Sequence, residues 1–138
     1  MDEFISDIVK INRSAEQVYG LMADMSFFSQ MASSAPIRDV EDFQSTQDTC
    51  SFKVKGIEVG VQIIDREPYK TIKYTGYKYS PVDFFIWLQL KEIAPDDTRI
   101  RIVFKAKLNL MMKTVFKGKI KKGLDKIVHQ ISDSLNRS

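Results

Sequence analysis

The chain has 138 residues and a mass of 15.9 kDa, the size of one domain, and its 43% hydrophobic content suffices for a full core without disulfides or metal. A single cysteine, Cys50, excludes an intramolecular disulfide and fits a reducing compartment. The net charge of +3 hides an asymmetry, because residues 1–100 hold 11 basic and 16 acidic side chains and residues 101–138 hold 10 and 2. Such a basic segment fits a solvated helix face, or a surface for a membrane, an acidic partner or nucleic acid. The opening Met1-Asp2-Glu3-Phe4 lacks the basic and apolar regions of a signal peptide. The longest nearly uncharged apolar run, Phe84 to Leu90, is too short to span a bilayer. A cytoplasmic protein is expected.

The first predicted strand runs from Phe4 to Ile11, with Ile5, Val9 and Ile11 on one face. Ser14-Ala15-Glu16-Gln17 is a capping box, and it opens a short helix carrying Val18, Leu21 and Met22 on one side. A second short helix is expected from Ser26 to Ala32. After Pro36 the period changes to two. Cys50, Phe52 and Val54 alternate with polar residues, as do Ile57, Val59, Val61 and Ile63, then Ile72 and Tyr74. Ile86, Leu88 and Leu90 share a face, and Ile100, Ile102, Phe104, Ala106 and Leu108 form the last alternating set. Alternation of this kind means strands with one wet face, hence an antiparallel meander. Pro95-Asp96-Asp97 supplies a tight turn, and Gly56, Gly60 and Gly76 mark bends or bulges that curve the sheet.

From Asn109, a helix N-cap, the period becomes 3.6. Phe116, Ile120, Leu124, Ile127, Ile131 and Leu135 form a stripe with Val128 at its edge. The amphipathic helix is about 40 Å long at 1.5 Å per residue. Two short helices cannot cover it, so it must lie along the concave face of the sheet. Pro36, Pro68, Pro81 and Pro95 all fall between periodic segments and punctuate a single domain spanning 1–138.

This order (strand, two short helices, six further strands, long C-terminal helix) resembles the helix-grip fold of the SRPBCC superfamily across essentially the whole chain. That superfamily includes the START lipid-transfer domains, the birch-pollen allergen family and the polyketide cyclases. The segment Val9-Lys10-Ile11-Asn12-Arg13-Ser14-Ala15-Glu16-Gln17-Val18-Tyr19, followed by Met22-Ala23-Asp24, is similar to the opening of those proteins. The turn Asp96-Asp97-Thr98-Arg99 before an alternating strand is similar as well. The resemblance implies an α+β helix-grip, a curved seven-stranded antiparallel sheet wrapped around the C-terminal helix. It also implies a cavity between them for a lipid, polyketide or other apolar molecule.

The inward residues by parity are Phe52, Val54, Val61, Ile63, Tyr74, Ile86, Leu88, Phe104, Met112, Phe116, Ile120 and Leu124. They either line that cavity or fill a solid core. Tyr74 is the sharpest ligand candidate, because its buried hydroxyl needs a partner. Catalysis finds little support: Cys50 falls on an apolar face, and Tyr74, Cys50 and Asp65 are the interior's only polar candidates. One histidine and one cysteine cannot supply a metal site, His129 lies opposite the helical stripe, and no cofactor is expected.

Four other features stand out. Gly118 and Gly123 interrupt the long helix, which suggests a bend and room for a ligand. Leu110 to Phe116, with Met111 and Met112, is a candidate gate, and Lys113 either guards its mouth or extends into solvent. Phe85 and Trp87 fall on the outer face with Val103 opposite, a candidate homodimer patch, unless a bulge after Pro81 turns them inward. Lys117, Lys119, Lys121, Lys122 and Lys126 have no interleaved aromatics, which disfavours nucleic acid. The function expected is binding or carrying of a hydrophobic small molecule. The alternatives are a cyclase or aromatase, or an interaction module with a solid core and a basic helix face.

Overall fold

The alternating apolar residues build one antiparallel sheet in the computed structural model, which describes residues 1–27, 40–54, 56–77, 80 and 82–137. Its strands are β1 (Asp2–Ile5), β2 (Val9–Ile11), β3 (Val40–Ser45), β4 (Thr49–Val54), β5 (Ile57–Glu67), β6 (Thr71–Gly76), β7 (Phe84–Ala94) and β8 (Asp97–Ala106). The helices are α1 (Ala15–Met22) and α2 (Leu110–Asn136). The strand order is β1-β8-β7-β6-β5-β4-β3, with β2 also paired to β8. This is the expected α+β helix-grip arrangement. The second short helix, Ser26 to Ala32, lies outside the described residues from residue 28 onward; Ser26 and Phe27 are helical.

The single first strand expected over Phe4 to Ile11 is in fact two, so the sheet has eight strands. Buried Ser6 causes the break. Its backbone N–H donates to the Ile102 carbonyl at 2.9 Å, and its hydroxyl accepts from the Ile102 N–H at 2.8 Å, replacing a ladder rung with a side chain. The break resets parity. Phe4 pairs with Phe104 on the inner face and Ile5 with Val103 on the outer, whereas Val9 pairs with Ile100 inside.

The capping box of α1 is formed in both directions, and the Ala15 N–H donates to Glu92 at 2.7 Å, tying the helix start to β7. A register shift after Ile63 leaves Ile64 exposed and turns Arg66, not Asp65, to the inner face opposite Ile72. The Arg66 guanidinium donates to the Ala23 carbonyl at the end of α1, at 2.8 and 3.1 Å, and pairs with Asp48 at 2.6 Å. The β7–β8 hairpin turns at Pro95-Asp96, where Asp96 adopts a φ of 56°. At the β3 edge a second left-handed residue, Asp42 with φ 53°, coincides with a register shift between Glu41 and Gln44.

Asn109 caps α2 as expected, accepting from the Met112 N–H at 2.8 Å. The buried stripe is Leu124, Val128, Ile131 and Leu135, with Val128 fully enclosed. Phe116 and Ile127, expected on that stripe, are 45% and 42% exposed. The helix faces the sheet through Val128, which sets Ile127 to one side. Phe116 sits in the N-terminal half, ahead of the buried run. Polar contacts clasp the C-terminal half: Asn136 accepts from the Asn12 N–H at 2.7 Å and donates to the Lys10 carbonyl at 3.0 Å. Asp7, in the break between β1 and β2, donates its N–H to Asp125 at 2.7 Å. The Asp7 carboxylate meets Lys121 at 3.2 Å and exposed His129 at 3.0 Å.

Two kinds of outcome are expected. A Cβ added at Gly118 meets open space, so Gly118→Ala raises stability by about 0.5–1 kcal/mol in urea titration. A Cβ at Gly60 would stand 2.7 Å from the Cys50 carbonyl oxygen, so Gly60→Ala lowers stability in the same assay. The second outcome concerns pH. Hydrogen bonds from His129 and then Lys121 hold the Asp7 carboxyl below its ordinary value. A group with a depressed folded pKa stabilises above the unfolded value, and that contribution fades as pH falls. Asp7→Asn therefore lowers the urea midpoint at neutral pH, and the gap to wild type closes as pH drops through the carboxylate range. A gap of constant size at every pH would show that Asp7 contributes no titrating interaction.

Candidate functional site

The inner face of the sheet is fully buried at one end, and at the other its described side chains are only partly buried. At the β7–β8 hairpin end, Ile11, Leu90, Thr98 and Ile100 are buried beneath α1 and the C-terminal half of α2. Thr98 is satisfied there, its hydroxyl donating to the Arg13 carbonyl at 2.7 Å. Of the inward residues named from sequence, Ile63, Tyr74, Leu88 and Leu124 belong to this buried cluster. Phe52, Val61, Ile86, Phe104 and Ile120 pack against it yet stay partly accessible. Phe104 stacks on Phe84 at 5.7 Å and approaches Phe4 at 6.3 Å, while Phe52 stacks on Phe43 at 5.2 Å. That partly buried end is therefore rich in aromatic rings.

Phe116 is exposed, and Met112 lines a surface groove of about 380 Å³ with Val82, Asp83 and Leu108. These two helix residues are thus not gathered with the sheet residues. The Val54 side chain lies outside the described residues. Lys113 turns back on β1 and pairs with Asp2 at 2.9 Å, at the same end as Phe84, since Ala106 pairs with both Asp2 and Phe84. A wider groove of about 710 Å³ between α1, the β5–β6 turn and β7 holds none of the predicted site residues.

The electrostatics of the interior favour neutral groups. Tyr74 sits between Ile63 and Ile86 across the ladder, and its buried hydroxyl finds no hydrogen-bond partner among the described residues. Burial pushes its phenol up, and Arg66 offsets this in part. Burial also pushes the Cys50 thiol up to about 11, so it stays protonated and weakly nucleophilic. Arg66 is the interior polar residue that sequence parity missed, because a one-residue bulge is invisible to a period of two. Among the described residues, no group of His, Cys, Asp and Glu could hold a metal ion.

On the outer face, Trp87 pairs with Val103 and Phe85 with Lys105. The rings are 6.0 Å apart, and Lys73 lies 4.7 Å from the Phe85 centroid and 5.3 Å from that of Trp87. Parity therefore holds after Pro81, and lysine stems partly cover the aromatic patch. No helix among the described residues is long and apolar enough to cross a membrane.

No protein-family model matches the chain, and no curated protein matches its sequence. Solved structures do match it. The Aha1 dimer from Colwellia psychrerythraea is 16% identical, with 99% of this chain and 97% of that chain covered at a TM-score of 0.68. A norcoclaurine synthase point mutant from Thalictrum flavum, in complex with a transition state analogue, is 10% identical at a TM-score of 0.74, covering 99% and 92%. A conserved protein from Geobacillus kaustophilus is 15% identical at a TM-score of 0.71, covering 100% and 97%. At such identities the likeness is one of fold alone: the chain shares with these structures a curved antiparallel sheet gripping a long C-terminal helix.

An unsatisfied buried hydroxyl costs about 1–3 kcal/mol. Tyr74→Phe is therefore expected to raise the stability of the ligand-free protein by about 1 kcal/mol, measured by urea unfolding. Destabilisation of that size would mean that the hydroxyl has a partner in solution.

Proposed function

We propose that the protein binds or carries a hydrophobic small molecule in the space between α2 and the concave face of the sheet. One observation carries this reading. Phe52, Val61, Ile86, Phe104 and Ile120 point inward and yet stay partly accessible, whereas a solid core would enclose them. The ligand is apolar by this account, since the walls are rings and branched aliphatics and burial keeps Cys50 and Tyr74 neutral. Ile63, Leu88 and Leu124 form the packed floor, with Tyr74 the polar group within it.

The same two groups argue against a cyclase or aromatase. A general acid or nucleophile needs a pKa near the working pH or an adjacent base, and burial moves both groups away from that range. Pairing of two copies through Phe85 and Trp87 is a subsidiary proposal, supported by the position of both rings on the outer face. The solution dimer of the Aha1 structure lends it only the precedent of the fold.

Titration with the neutral apolar fluorophore N-phenyl-1-naphthylamine tests the binding reading. Saturable uptake at one site is expected. Ile120→Trp, which fills the space from the helix side, should weaken uptake at least about tenfold, or about 1.4 kcal/mol. Cooperative melting of the variant would establish that it folds. Absence of saturable uptake by the wild type would favour a solid core and an interaction module.

A further inference from the structure

The solvent-facing side of α2 carries an unusual gradient. Met111, Val115, Lys119, Lys122 and Lys126 follow one another at intervals of three or four residues, so they form one continuous stripe. At about 100° per residue this stripe lies opposite the buried run of Leu124, Val128, Ile131 and Leu135. It begins apolar and ends basic. Met111 is 75% exposed, Val115 51%, and neighbouring Leu110 81%. Lys119, Lys122 and Lys126 are exposed and, among the described residues, enter no ion pair, unlike Lys113 and Lys121, which are held by Asp2 and Asp7.

Neither half of the gradient serves the fold. Exposed apolar side chains at a helix start gain nothing from water, and three unpaired lysines on one line repel each other. We propose that this stripe docks the protein onto an anionic membrane surface, with Met111 and Val115 entering the headgroup boundary and the lysines meeting lipid phosphates. An interfacial helix needs this pairing of signals, since a few apolar side chains or a few charges alone give only marginal attachment. Unbranched, flexible methionine suits a fluid, shapeless partner better than a fitted protein surface.

Charge and chemistry set aside the other occupants. A second copy on this face would bring lysine against lysine. Nucleic acid would be met without a single stacking ring on the stripe. The apolar tip also stands at the end of the sheet where Phe84 and Phe104 are only partly buried, because α2 follows directly on β8. The docking surface does not depend on the interior binding a ligand, and the two can fail separately.

Co-sedimentation of the full chain with phosphatidylcholine vesicles, with and without phosphatidylglycerol, is the test. Binding to the mixed vesicles alone is expected, declining steeply with added salt. Reversing Lys119 and Lys122 together to glutamate should lower partitioning roughly thirtyfold or more, at about fivefold per lysine. Met111→Ser with Val115→Ser should also weaken it while leaving the salt dependence in place. All four positions face solvent, and an unchanged melting curve would establish that the variants fold. Three results would overturn the proposal: no sedimentation with mixed vesicles, equal binding to pure phosphatidylcholine, or self-association that these same substitutions abolish without any vesicle binding. Unaltered N-phenyl-1-naphthylamine uptake by the variants would separate docking from the ligand site.

Discussion

The seating of the second half of α2 on the sheet is the contact on which the rest of this molecule depends. Leu124, Val128, Ile131 and Leu135 are enclosed against the inner face, and each such burial is worth about 1.5–3 kcal/mol. Asn136, Arg13 and Asp7 then fix the helix lengthwise by bonds to backbone and carboxylate groups. Among the described residues, nothing comparable holds the first half. There the ties are the Asn109 cap and the Lys113–Asp2 pair, and both glycines have open space where a side chain would project. With the helix anchored at one end over the fully buried part of the sheet, the described side chains at the other end are only partly buried.

A second anchorage depends on one misplaced residue. The bulge at Ile64 turns Arg66 toward the core, where its guanidinium gathers the end of α1 and the β3–β4 turn through Ala23, Gln47 and Asp48. Without that shift, Asp65 would point inward and the end of α1 would lack its donor. Arg66 is also the charge that acts on Tyr74, and it is already engaged by Asp48. The floor of the interior is thus apolar, with the nearby Arg66 charge balanced by Asp48.

The amino-acid pattern was informative where one period governed. Strand parity placed Ile72, Tyr74, Leu88, Ile100 and Ile102 inside and Phe85 and Trp87 outside, because a two-residue repeat with one wet face admits a single register. The caps at Ser14 and Asn109 were readable because side chain and backbone meet within three residues. The failures share a cause. Ser6 and Ile64 each shift the count by breaking the ladder, and no local composition announces it. Ile127 and Phe116 were misplaced for another reason: a stripe defines a helix face but not how much of that face finds a sheet to lie on. Cavity-lining by the inward residues could not be read at all, since walls and core are built from the same side chains.

Open sheets carry a hazard at their margins, where unpaired N–H and C=O groups can template another strand. Both margins here are broken up. At β3, the left-handed Asp42 interrupts the straight run of pairing groups, beside a charged Glu41 and a Lys53–Asp42 ion pair. At the opposite margin, Ser6 to Ile8 split the edge into segments of four and three residues, and α2 is pinned over the gap by Asp7. The Ser6 break, which defeated a simple reading of strand periodicity, therefore joins Asp42 in depriving cross-β growth of a continuous template at the sheet's own edges.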